Sequence, residues 1–181
     1  MLPFFKRLFA SAYFPVFVLI VLAAALRLLS NELKLWNVTP VTAMALFGGA
    51  MIADRRLAIL IPLSILFITD AFIGFYSGMW VVYLSFVLVV MVGKWIITKR
   101  SPRRIVAASL TASTLFFLIT NFALFYPPTM YPHHVDGIVQ SYLAALPFYR
   151  NALIGDLFYS GLLFGSLEVW QRFLRIQLPK P

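Results

Sequence analysis

Of the 181 residues, 62% are apolar and only 12% are charged, a balance that a water-exposed surface of this size does not tolerate and that implies solvation by lipid. A net charge of +9 invites a nucleic-acid reading, but the cations fall in short clusters between apolar runs and not along one face, which argues against it. The lack of cysteine excludes disulfides, thiolate metal sites and a cysteine nucleophile.

A bilayer core of about 30 Å needs roughly 20 apolar helical residues. Six runs near that length follow one another along the chain: Leu8–Leu26, Val38–Ala53, Leu57–Phe75, Met79–Ile97, Ile105–Tyr126 and Ala152–Trp170. They predict an all-α membrane protein, a single transmembrane domain over residues 1–181 built as a bundle of six helices. The first run follows Lys6-Arg7 and ends near Ala23-Ala24-Ala25, which also describes a secretory signal peptide. Against cleavage, it is longer than the usual apolar region of about 7–15 residues, and Arg27 and Glu32 would stand just past the cut. The second run is the shortest and is rich in small residues.

Thr39-Pro40 and Ser101-Pro102 each place a hydroxyl before a proline, a combination suited to opening a helix. Asp54-Arg55-Arg56 reads as a tight polar turn. The connection Pro127–Pro147 carries several prolines and His133-His134, with an amphipathic stretch, Ile138–Leu146, that could lie along the interface. It is expected to fold over one mouth of the bundle.

Lys and Arg are retained on the cytoplasmic side of membranes. With six spans and an inside N-terminus, twelve cations lie inside: Lys6, Arg7, Arg55, Arg56, Lys94, Lys99, Arg100, Arg103, Arg104, Arg172, Arg175 and Lys180. Only Arg27, Lys34 and Arg150 lie outside. Five or seven spans would spoil that split, so both termini are expected in the cytoplasm.

An ionised side chain at mid-membrane costs about 2.5–3.5 kcal/mol on insertion scales and asks for a partner or a wet cavity. Asp70 and Asp156 qualify, and both fall near the outer ends of their helices, at the level of Arg27, Arg150, Asn121 and Asn151. These groups suggest an outward-facing polar pocket beneath the Pro127–Pro147 loop. The alternative is that Asp70–Arg27 or Asp156–Arg150 are ion pairs that set helix register. Aromatics crowd the same side: Trp36, Phe72, Phe75, Tyr76, Trp80, Phe125, Tyr126, Tyr131, Tyr142, Phe148 and Tyr149. Most suit interfacial anchoring, and a few could wall a pocket for a flat or apolar solute.

Adjacent histidines point apart and no clustered carboxylate accompanies them, so neither a metal nor another cofactor is expected. No Gly-rich phosphate loop or Ser/His pairing supports catalysis, and the chain is read as a non-enzyme. Two small-residue patterns, Ala45-x-x-x-Gly49-x-x-x-Ala53 and Gly161-x-x-x-Gly165, allow close helix approach, either within the bundle or to a partner membrane protein.

From Asn37-Val38-Thr39-Pro40 through Ala43-Met44-Ala45-Leu46-Phe47-Gly48-Gly49-Ala50, the chain resembles a family of uncharacterised bacterial integral membrane proteins, a domain of unknown function. Asp70 with Gly74-Phe75, Val82-Tyr83 with Ser85-Phe86, Thr120-Asn121-Phe122, Tyr131-Pro132 and Arg150-Asn151 through Gly155-Asp156 fit the same pattern. That family in turn resembles, more distantly, the substrate-binding S components of energy-coupling-factor vitamin transporters. The resemblance implies a vitamin-like solute bound near the outer face of a bacterial inner membrane, with Arg27, Asn37, Asp70, Trp80, Asn121, Tyr142, Arg150, Asn151 and Asp156 as ligand-binding candidates. It also implies a transmembrane coupling subunit with its ATPases as partners, docking on Ala45, Gly49 and Ala53. A non-transporting membrane scaffold or assembly protein is the alternative.

Overall fold

The computed structural model describes residues 14–177. Lys6, Arg7 and Lys180 lie outside the described residues, as does the start of the first apolar run. Among the described residues every regular element is helical: α1 (Phe14–Glu32), α2 (Val41–Met51), α3 (Arg55–Ile73), α4 (Met79–Ile96), α5 (Pro102–Thr120), a 3-10 turn at Ala123–Phe125, and α6 (Val135–Gln177). Helices α3 to α6 are each long and apolar enough to cross a membrane. They expose large apolar side chains such as Phe67, Phe72, Trp95 and Phe158, a surface that hydrocarbon solvates and water does not. The protein is an all-α membrane bundle of six helices.

The run Val38–Ala53, expected to span, forms instead the short central helix α2. Its 11 residues rise only about 16 Å at about 1.5 Å each, roughly half a bilayer core. Protein encloses it: Val41, Ala43, Ala45 and Leu46 have no exposed surface, and α3, α4, α5 and α6 all pack on it. Small residues make this possible. A Cβ on Gly49 would collide with the carbonyl oxygen of Val90 on α4, and one on Gly93 of α4 would collide with that of Leu46, so the two backbones touch at reciprocal points. Ala45 and Gly49, expected at a partner-docking face, are therefore consumed by packing inside the chain. Only Ala53, beyond the end of α2, is exposed.

Capping accounts for two of the helix starts. Asp54 Oδ1 accepts from the backbone N–H groups of Arg56 and Leu57 at 2.7 and 3.3 Å and opens α3. Ser101 Oγ accepts from Arg104 N at 3.4 Å, with Pro102 in the first turn of α5. Thr39 has no such role, because Pro40 occupies the cap position of α2 and offers no side-chain acceptor.

The expected loop Pro127–Pro147 is mostly absent, because α6 starts at Val135 and runs unbroken for 43 residues through Pro147. An interior proline strips a hydrogen bond from the carbonyl four residues earlier. Here that residue is Leu143, which is exposed, while neighbouring turns are pinned: Tyr142 Oη donates to Leu118 O on α5 at 2.7 Å, and Ala145 is buried. Packing on α5 holds the helix together across the defect.

Candidate functional site

One end of the bundle is hollow. A cavity of about 430 Å³ opens there, lined from α1 by Arg27, from the α1–α2 connection by Trp36, Asn37 and Thr39, and from the α3–α4 connection by Tyr76, Ser77 and Gly78. Val81, Val82 and Phe86 of α4 and Phe116 of α5 form apolar wall. Thr120 and Asn121 at the end of α5, then Phe125, Tyr126, Pro127 and Phe148, with Val41 of α2 and Leu66 of α3, complete the lining. The volume falls within the range of about 300–1,000 Å³ typical of small-molecule sites, and the mix of apolar wall with a few polar groups is also typical.

Sharp turns shape this mouth. Asn37 adopts φ 62°, a left-handed conformation that asparagine tolerates better than most residues, and Gly78 sits at φ 86° ahead of α4. Ser30 Oγ donates to Val38 O at 2.6 Å and folds the α1–α2 connection back on α1. Across the mouth, Asn151 Nδ2 of α6 donates to Trp36 O at 3.2 Å.

Arg27 is the only ionised side chain in the lining, and Asp70 backs it. Arg27 Nη2 lies 2.7 Å from Asp70 Oδ1, with the carboxylate 1% exposed and the guanidinium 16%. The contact is an ion pair without a well-aligned N–H at that oxygen. Tyr83 Oη of α4 donates to Asp70 Oδ2 at 2.9 Å, and Arg27 also donates to Thr69 Oγ1. Three helices are thus tied together behind the cavity, and Arg27, 16% exposed, lines it. In the rim, burial pushes the Tyr76 phenol above its ordinary value of 10.0, with the Asp70 charge adding to the shift, and burial does the same to Tyr126. Both rings stay neutral donors at physiological pH.

Of the sequence candidates, Arg27, Asn37 and Asn121 line the cavity and Asp70 stands directly behind it. The others do not meet there. Trp80 is 59% exposed and packs edge-on against Phe125 at 5.5 Å. Tyr142 faces α5, tilted on Phe117, Arg150 is exposed outside the lining, and Asn151 latches the α1–α2 connection. Asp156 belongs to a separate buried polar seam. It is 2% exposed and accepts from Ser113 Oγ at 2.6 Å, while Ser109 Oγ donates to Ser160 Oγ one turn away at 2.9 Å. The alternative Asp156–Arg150 ion pair is absent, because Asp156 turns inward to α5. Thr39, Thr120 and the backing residue Tyr83 appear in sequence motifs but were not placed at the site, and Ser77 had no sequence signal, since a hydroxyl in a connection is commonplace.

The chain matches a family model over residues 3–177. It belongs to DUF6580, a family of unknown function. No curated protein and no solved structure matches it.

Proposed function

We propose that this DUF6580 protein captures a small, partly apolar solute as the membrane-embedded binding subunit of an uptake transporter. The observation that carries the reading is the 430 Å³ cavity at one end of the bundle, with Arg27 held at its inner wall by the buried Asp70. An arginine fixed in place by a carboxylate behind it presents donors without losing side-chain freedom on binding, which favours affinity. Phe86, Phe116, Phe125 and Phe148 supply surface for a flat ring, while Asn37, Asn121, Tyr76 and Ser77 supply hydrogen-bonding groups at the rim.

In this reading the cavity faces the outside of a bacterial cytoplasmic membrane, and both termini are cytoplasmic. The distribution of Arg55, Arg56, Lys94, Lys99, Arg100, Arg103, Arg104 and Arg172 at the opposite end supports that orientation. A transmembrane coupling subunit and ATPases complete the transporter, by likeness of layout to S components. Its docking face lies elsewhere than Ala45 and Gly49.

The test is native mass spectrometry of protein purified from its own membranes without added solute. A discrete small adduct is expected on the wild type and is expected to be lost in Ser77→Trp, which fills the cavity from an exposed loop. Identical adducts on both proteins, or none on either while both keep the same melting temperature, would remove the proposal. One observation favours a second reading, a non-transporting scaffold: Asp70 and Asp156 are both engaged by side chains inside the chain. That reading predicts an empty cavity.

A further inference from the structure

At the cation-rich end of the bundle a second hollow, about 420 Å³, runs between α5 and α6. Ile105, Val106, Leu157 and Phe164 wall it, and Gly161 and Gly165 form its floor. A Cβ added at either glycine would meet no atom within 4 Å, unlike Gly49 and Gly93, whose Cβ atoms would strike backbone. Packing inside the chain therefore does not require these two glycines. Glycine also weakens a helix interior relative to alanine, so the space they leave is explained by something from outside the chain.

The rim identifies it. Arg100 and Arg172 line the hollow at its cationic end. Arg100 Nη1 donates to the neutral Gln171 at 2.6 Å, and Arg172 pairs at 3.1 Å with Glu168, the one acid in the lining. The lining itself holds two arginines against one glutamate, and Lys99, Arg103 and Arg104, exposed just outside it beside Arg100 in sequence, add to the positive charge of that end of the bundle. Gly161 and Arg172 are separated by about 16 Å of helix at about 1.5 Å per residue, a span within reach of one fatty acyl chain below its phosphate. We propose that this groove holds an acyl chain of an anionic phospholipid, with the headgroup phosphate between Arg100 and Arg172. A second copy of the protein fits less well. Related by a two-fold axis normal to the membrane, it would bring its own arginine rim to the same level, like charge against like. An anionic headgroup neutralises the rim, and the apolar walls take the tail.

The experiment titrates the full-length, detergent-solubilised protein with dioleoyl phosphatidylglycerol or dioleoyl phosphatidylcholine and counts retained lipid by native mass spectrometry. Wild type is expected to retain phosphatidylglycerol about tenfold more strongly. The double variant Arg100→Gln/Arg172→Gln should erase the difference, and Gly161→Leu should weaken retention of both lipids by filling the groove. Excess glycerol phosphate should not displace the lipid, because the tail contributes to binding. Equal retention of the two lipids by wild type, an unchanged preference in the arginine variant, or displacement by glycerol phosphate would overturn the proposal. A dimer that disappears in Gly161→Leu would also overturn it, and would make the occupant a second copy.

Discussion

Arg27 and Asp70 share one contact unequally: at 2.7 Å apart, the carboxylate is sealed at 1% exposure while the guanidinium keeps 16% and reaches the cavity. The pair therefore holds α1 to α3 and keeps a cation in the cavity wall. Its halves should respond differently to mutation.

Arg27→Met strands an anion among helices and is expected to destabilise the protein by about 3–5 kcal/mol, the range for breaking a buried pair. Asp70→Asn leaves Arg27 with an aqueous outlet and Thr69 as a partner, so it should cost distinctly less. Equilibrium unfolding of both variants in mixed micelles measures the asymmetry. Equal losses would show that Arg27 is as sealed as its partner.

The reciprocal glycine contacts of α2 and α4 predict a sharp positional contrast. Gly49→Ala and Gly93→Ala drive a methyl into a carbonyl and should each cost at least about 1–3 kcal/mol. Gly161→Ala meets nothing and should be neutral, or stabilising by up to about 1 kcal/mol through helix propensity. Thermal melting of the three variants in one detergent decides it, and a Gly161→Ala loss as large as the others would contradict the open face of α6.

Asn121 caps α5 and donates from Nδ2 to Phe117 O at 2.9 Å and to Thr120 Oγ1 at 3.2 Å. Both bonds use the amide nitrogen, so its oxygen is the group left for a solute in the cavity. Asn121→Leu should reduce solute affinity by up to about tenfold, the worth of one hydrogen bond. Isothermal titration with the solute identified by mass spectrometry is the measure. Unchanged affinity would take Asn121 out of the site.

Tyr76 contributes to the alkaline sensitivity of the fold. Its pKa is raised in the folded protein above the ordinary 10.0, first by burial and then by Asp70. A raised pKa means the folded state holds the proton longer, so the associated stability is complete below pH 10.0 and falls as pH climbs toward the folded value. Melting temperature measured from pH 9 upward should therefore fall less steeply in Tyr76→Phe than in wild type. Parallel slopes would show that the phenol titrates alike in both states.

Helices α3, α4 and α5 were legible because each combines an apolar run of spanning length with a local stop or start, such as Asp54 or Ser101-Pro102. α2 was not, since an apolar composition is the same whether lipid or protein surrounds the helix; only its 11-residue length distinguishes the two. α6 was expected only from Ala152, beyond Pro147, because tertiary support for a proline leaves no trace in the residues around it. Depth was readable from charge, and it brought Arg27, Asn121 and Asp70 to one level. Rotation was not: in a lipid-solvated helix the polar–apolar periodicity that fixes the facing of a soluble helix is nearly gone, so Tyr142, Arg150 and Asp156 were expected in a pocket whose lining does not include them.

The brevity of α2 also bears on how the protein is made. A segment too short to be held across the hydrocarbon by lipid leaves the ribosome ahead of α4 and α6, which later close around it. Its enclosure is complete only after the last helix has been inserted, so chains interrupted before α6 should leave one side of the second segment uncovered and be the form that membrane proteases remove.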